Sequence, residues 1–249
     1  IYLLSGGRGR DVETLLATTP ETDPLRWLLK GAAHYAANEK EEALKVLAPF
    51  NPEHLPVSIG GRIALARAMV LPDEQLAERI RLLRLAGRMM PGTLVEESSL
   101  RRLAAIAAGL SEPAALQDTV ERYIERYRNS IYGADVIGQY SKAIVAFEQK
   151  RKPVDRRALE HMFNKLPGEL RRDAYLDIAK AAAVRGLADL TLFSATRARR
   201  LAAEGSDAWH NATLYDAAIL VTGPDYEIAR DLLTLIDATR LDDSGRELL

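Results

Sequence analysis

Four histidines, His34, His54, His161 and His210, come first, because imidazole serves both as a metal ligand and as a general base. A helical zinc site needs two of them about one turn apart, and none has another histidine at i+3 or i+4. The chain has no cysteine, which removes thiolate ligands, disulfides and a cysteine nucleophile together. No metal and no cofactor are expected. His34 beside Tyr35 reads as a packed or half-exposed side chain. His210, in Trp209-His210-Asn211, reads as a residue near a helix start with an aromatic packing partner.

The paired acids Glu96-Glu97 and Asp242-Asp243 could supply the two carboxylates of a glycosidase, whose acid needs a raised pKa in a cleft. Adjacent helical residues point roughly 100° apart, so neither pair faces one substrate. Glu96 and Glu97 fall in the first helical turn after Pro91-Gly92-Thr93, where negative charge complements the helix dipole. Ser5-Gly6-Gly7-Arg8-Gly9 has no Gly-Lys-Ser/Thr ending and no preceding strand, so it reads as a helix end rather than a phosphate loop. No G-x-S-x-G elbow occurs, and the sequence points to no catalytic residue.

The remaining chemistry-bearing residues are basic. Arg101-Arg102, Arg171-Arg172 and Arg197, Arg199 and Arg200 sit on amphipathic helices with acids nearby, where a solvated face is the default reading. Arg67, Arg81, Arg84 and Arg88 lie between apolar positions on successive helices and are the candidates for the polar rim of a protein-binding surface. A net charge of −1, from 34 Lys+Arg against 35 Asp+Glu, lacks the basic surplus of a nucleic-acid binder.

These side chains are carried by helices. Helical spacing recurs in Leu76, Ile80, Leu83, Gly87, Met90; in Leu116, Val120, Tyr123, Tyr127; and in Val136, Tyr140, Ile144, Phe147. It returns in Leu159, Met162, Leu166 and in Ile228, Leu232, Leu235, and no alternating strand interrupts it. Pro, Gly, Ser and Asp clusters punctuate the chain, as in Thr22-Asp23-Pro24, Leu71-Pro72-Asp73 and Leu110-Ser111-Glu112-Pro113. About a dozen helices in an all-α protein follow, and short antiparallel helices that each bury one stripe need stacked neighbours. With 47% hydrophobic and 28% charged residues over 249 positions, the composition is that of a globular protein with a sizeable core. No window approaches the ~18 apolar residues of a membrane span.

Residues 27–49 read W-x-x-x-G-A-A-x-Y, then Glu42-Ala43-Leu44, Leu47 and Pro49, resembling a tetratricopeptide (TPR) repeat. In that pattern Gly31 lets the paired helix approach, Ala43 faces it, and Leu47 fills the adjoining hole. The next pair, 63–90, keeps Ala86 and Pro91 but lacks the aromatic residue, so the repeat is degenerate. The expected architecture is a stack of antiparallel helix pairs, a degenerate TPR-like superhelix, over residues 1–150. Residues 151–249 form a C-terminal helical region, separate from the stack or continuous with it. Lys150-Arg151-Lys152-Pro153 with Arg156 and Arg157 is the sharpest composition shift and reads as an exposed junction. Ile1-Tyr2-Leu3-Leu4 before Ser5-Gly6-Gly7 reads as a last helical turn with a glycine cap. The start at Ile1 rather than Met points to a removed N-terminal segment, in which a signal peptide or anchor would lie.

Three segments together resemble the MotC family of periplasmic motility proteins of rhizobia and related alphaproteobacteria. They are Ile1-Tyr2-Leu3-Leu4-Ser5-Gly6-Gly7; Leu55-Pro56-Val57-Ser58-Ile59-Gly60-Gly61 with Ile63-Ala64-Leu65; and Pro91-Gly92-Thr93-Leu94-Val95-Glu96-Glu97-Ser98-Ser99-Leu100-Arg101-Arg102. The resemblance continues through Arg126-Tyr127-Arg128-Asn129-Ser130-Ile131-Tyr132 and is strongest over about the first 140 residues. It implies an exported, periplasmic protein without catalytic residues that acts with MotB, the peptidoglycan-binding stator subunit, to allow flagellar rotation. Arg67, Arg81, Arg84 and Arg88 would then be rim residues toward that partner. Two other readings share the architecture: another TPR-like cell-envelope adaptor or assembly factor, and the helical superstructure of a peptidoglycan-lytic enzyme. The latter needs a catalytic Glu in a separate α/β domain, which this sequence does not encode.

Overall fold

The computed structural model describes residues 10–221 and 223–249. The helical turn and glycine cap expected at residues 1–7 lie outside the described residues. Among the described residues there are fourteen α-helices and no strand. The chain divides into two compact units, Ile1–Leu103 and Ala104–Leu249. No helix among the described residues is long and apolar enough to cross a membrane.

The first unit holds α1 (Arg10–Thr18), α2 (Pro24–Ala36), α3 (Lys40–Leu47), α4 (Val57–Val70), α5 (Leu76–Met89) and the start of α6 (Leu94–Gly109). Tight turns between consecutive helices make neighbours antiparallel, and α2 pairs with α3 and α4 with α5. The α2–α3 pair is close because Gly31 has no side chain: a Cβ there would overlap the Leu47 side chain and sit 3.2 Å from Val46 Cγ1. Ala43 and Leu47 are fully buried on the same face. Leu47 packs with Ile63 and Ala66 of α4, joining one pair to the next, with Leu28, Tyr35, Leu55 and Ile59 around them.

Gly60 and Gly61 do the same for α4. A Cβ on Gly60 would overlap the Pro52 carbonyl and lie 2.6 Å from Met89 Cε, and one on Gly61 would lie 2.5 Å from Met90 Cγ. The glycine pair thus permits close helix packing. Helix starts are set by short polar side chains: Asp23 accepts from the Leu25 N–H at 2.8 Å, and Thr93 Oγ1 accepts from the Val95 N–H at 3.2 Å.

The second unit holds α7 (Pro113–Tyr127), α8 (Gly133–Gln149), α9 (Arg156–Phe163), α10 (Gly168–Ala183), α11 (Ala188–Leu201), α12 (Asp207–Leu220), α13 (Tyr226–Thr234) and α14 (Asp243–Leu248). α10 packs on α11, α11 on α12, and α10 also on α8. An aromatic ladder threads this stack, Tyr140 to Phe163 at 6.1 Å, Phe163 to Tyr175 at 5.0 Å and Tyr175 to Phe193 at 6.1 Å, each contact edge-to-face. One member comes from each of α8, α9, α10 and α11, so the ladder pins four helices in register. The basic run after α8 turns through Arg151 at φ +56°, and its lysines reach back to the turn before α7. Lys150 Nζ donates to Ser111 Oγ at 2.8 Å and Lys152 Nζ to the Ser111 carbonyl at 2.9 Å.

Candidate functional site

The residues that could have done acid-base or metal chemistry do not converge. His34 Nδ1 lies 2.5 Å from Glu39 Oε2, His54 and His161 are exposed, and His210 is buried in the second unit. His210 Nδ1 accepts from the Asp237 N–H at 3.2 Å, and its ring meets Trp209 edge-on at 5.1 Å. Among the described residues no group of three or more His, Cys, Asp or Glu could hold a metal ion.

One acid of each pair is a helix cap. Glu96 Oε2 accepts from the Gly92 N–H at 2.7 Å, so with Thr93 it closes a box around the N-terminus of α6. Both Glu96 and Glu97 are buried, which their reading as first-turn dipole partners does not convey. Asp242 Oδ1 accepts from the Gly245 N–H at 2.7 Å and caps α14, its other oxygen takes Lys180 Nζ at 2.6 Å, and Asp243 points to solvent.

The four candidate arginines sit on α4 and α5 but differ in surroundings. Arg67 is inward: its side chain is only 14% exposed, Nη1 donates to the Phe50 carbonyl at 2.9 Å, and Nη2 lies 3.9 Å from Glu78 Oε1. Burial lowers its pKa against the opposing pull of Glu78. Arg81 forks onto the Glu78 carboxylate at 2.7 and 2.8 Å, and that hydrogen bond holds the Glu78 carboxyl below its ordinary range. Arg84 and Arg88 are exposed on the same stripe, since positions 81, 84 and 88 follow the i, i+3, i+7 rule of one helix face.

On α2 and α3 the structure shows a groove that sequence reasoning missed. Trp27, Lys30 and His34 from α2 and Glu42, Lys45, Val46, Pro49 and Phe50 from α3 and the turn after it line a depression of about 770 Å³. Trp27 is 52% exposed although it opens the repeat-like motif. Lys30 Nζ lies 5.5 Å from the centre of its ring. The signal was present in the spacing: 27, 30 and 34 on α2, and 42, 45, 46 and 49 on and after α3, each trace a stripe beside the buried one. Phe50 links the two surfaces, because its carbonyl takes the Arg67 guanidinium while its ring lines the groove.

Stacked helical hairpins whose distinctive features are open surfaces rather than converging reactive groups define a protein of the all-α helical-scaffold class. Within that class the chain belongs to the family described as chemotaxis protein MotC, whose model matches residues 1–249. The match includes the C-terminal region, where the motif resemblance had faded. The chain is 25% identical to the chemotaxis protein MotC of Rhizobium meliloti (strain 1021), covering 100% of this chain and 57% of that protein. It therefore spans little more than half the length of that curated relative. No solved structure matches the chain.

Proposed function

We propose that this protein is a non-catalytic, periplasmic motility factor that binds the periplasmic part of a MotB-type stator subunit and is needed for flagellar rotation. The observation that carries the reading is the match to the chemotaxis protein MotC family along all of residues 1–249. The helical pairs supply a rationale for the mode, because stacked hairpins present adjacent grooves and faces suited to a helix or an extended segment. On this reading Arg81, Arg84 and Arg88 form the polar rim toward the partner, and Arg67 holds the turn after α3 in place behind them. A stable interface would bury at least ~1,000 Å² in total.

Two experiments test the reading at two levels. A strain lacking the protein should assemble flagella that do not turn, and cell fractionation should recover the protein from the periplasm. Purified chain should retain the periplasmic region of the stator subunit in a pull-down, weakened by Arg81→Glu, Arg84→Glu and Arg88→Glu together. Absence of association at micromolar concentration counts against the partner. Binding indifferent to the triple variant counts only against the face.

A further inference from the structure

We propose that the α2–α3 groove is a docking site for a short acidic segment of a partner protein that carries one bulky apolar side chain. This goes beyond the stator reading and does not depend on it. The floor and walls of the groove are apolar, from Trp27, Val46, Pro49 and Phe50. Its rim carries hydrogen-bond donors that the protein itself leaves without acceptors. Among the described residues Lys30 makes only its contact with the Trp27 ring, and neither Lys45 nor the Trp27 indole N–H has a hydrogen-bonding or ionic partner. His34 is committed to Glu39, and Glu42 is the one acid lining the groove.

The occupant follows from charge complementarity. Two unpaired ammonium groups and an indole N–H ask for carboxylate and carbonyl acceptors, while an exposed tryptophan beside phenylalanine and valine asks for an aromatic or aliphatic anchor. From Glu42 to Pro49 the groove runs roughly 10 Å along α3. That length takes about three to four residues of extended chain. The ligand is therefore a linear motif, with one apolar anchor between acids, rather than a folded face.

The probe is the capped hexapeptide Asp-Glu-Phe-Leu-Asp-Glu, titrated calorimetrically into the unaltered chain. Trp27 and Trp209 are the only tryptophans, so the Trp209→Phe variant turns Trp27 into the sole fluorescent reporter of the same titration. The expected result is a dissociation constant of roughly 10–100 μM with a blue shift of Trp27 emission. Lys30→Glu with Lys45→Glu should weaken binding at least about tenfold, because attraction at both ends becomes repulsion. Both lysines are exposed, so the double variant should keep the parent circular-dichroism spectrum. Trp27→Ala should weaken binding by a similar factor.

Four results would overturn the proposal: no heat and no emission shift at about 1 mM peptide; equal affinity for Lys-Arg-Phe-Leu-Lys-Arg; binding unchanged in the double lysine variant; or Lys30- and Lys45-dependent binding of phosphatidylglycerol vesicles without binding of the peptide. The titration contains no stator protein, so its outcome and that of the pull-down are read separately.

Discussion

Replacing Arg199 by alanine should destabilise the protein more than replacing its partner Asp216 by asparagine. Asp216 lies on α12 with its side chain 4% exposed, and Arg199 on α11 reaches it at 3.1 Å with its own side chain 31% exposed. Thr196 Oγ1 donates to the other carboxylate oxygen at 3.0 Å. Despite both partners the Asp216 carboxyl sits above its ordinary range, because desolvation outweighs the pull of Thr196 and Arg199. Removing Arg199 leaves that desolvation opposed only by the Thr196 hydrogen bond and the Arg200 charge. Breaking a buried pair costs about 3–5 kcal/mol, and the partial exposure of Arg199 reduces the expectation here to about 2–3 kcal/mol. Asparagine keeps an acceptor for Thr196 and removes the buried charge, and Arg199 can turn to water, so Asp216→Asn should change stability by no more than about 1 kcal/mol.

The pH dependence has a definite sign. A carboxyl whose folded pKa exceeds its unfolded value contributes most favourably when protonated, below the unfolded value, and loses that contribution as pH rises through the folded value. The deficit of Arg199→Ala should therefore shrink between neutral pH and about pH 4, and Asp216→Asn should flatten the profile. Urea unfolding followed by circular dichroism at several pH values reads both effects. An Asp216→Asn variant that loses as much stability as Arg199→Ala at neutral pH would refute the claim that burial outweighs the pair.

Gly61→Leu should cost about 1–3 kcal/mol through overpacking against Met90, measured by thermal melting, whereas the same change at Gly138, where an added Cβ meets nothing, should be mild. Trypsin should cut first within residues 150–157, and Ser111→Ala should accelerate cleavage after Lys150 and Arg151 several-fold by removing the Lys150 hydrogen bond, read from digestion time courses. Arg84→Glu with Arg88→Glu should leave the melting temperature within about 2 °C, since both are exposed, while reducing capture of the stator region in the pull-down.

Helix existence was legible because each helix buries one stripe, and Leu116, Val120 and Tyr123 on α7 or Val136, Tyr140, Ile144 and Phe147 on α8 are buried as their spacing requires. Gly31 and Ala43 were legible for the same reason: a small residue on a stripe reports a close neighbour. Trp27 was not. A large aromatic residue at the head of a repeat-like motif reads as core, and although its spacing with Lys30 and His34 marks a stripe beside the buried one, the three-dimensional pairing is what shows it half in water. Glu96 and Glu97 lie in the first turn of α6 as read, but their burial was not legible, since the sequence does not record what packs over that turn. The aromatic ladder was likewise invisible, because Phe193 is spaced from Tyr175 by a helix and a turn whose geometry no local pattern records.

Arginine was the residue type read least well, and the reason clarifies which cations matter on the surface. Arg67 was a rim candidate and Arg26 and Arg79 drew no reading from the sequence, yet in the first unit these three arginines bond the carbonyls that a preceding helix or turn leaves without partners. Arg26 of α2 donates to Leu16 and Thr19 carbonyls at the end of α1, Arg67 of α4 to Phe50 just past α3, and Arg79 of α5 to Leu71 at the end of α4. In these three cases a helix closes the C-terminal end or following turn of the one before it with a guanidinium, whose several planar donors suit a cluster of exposed carbonyls better than an ammonium does. Position on a helix fixes which arginines can do this: Arg26 and Arg79 lie in the first turns of α2 and α5, beside the preceding helix end, and Arg67 reaches back across the turn. Arg84 and Arg88, one to two turns further along α5, and Lys30 and Lys45 beside the groove have no such carbonyl within reach. Those four keep their charge for the surface, which is why the two binding proposals rest on them.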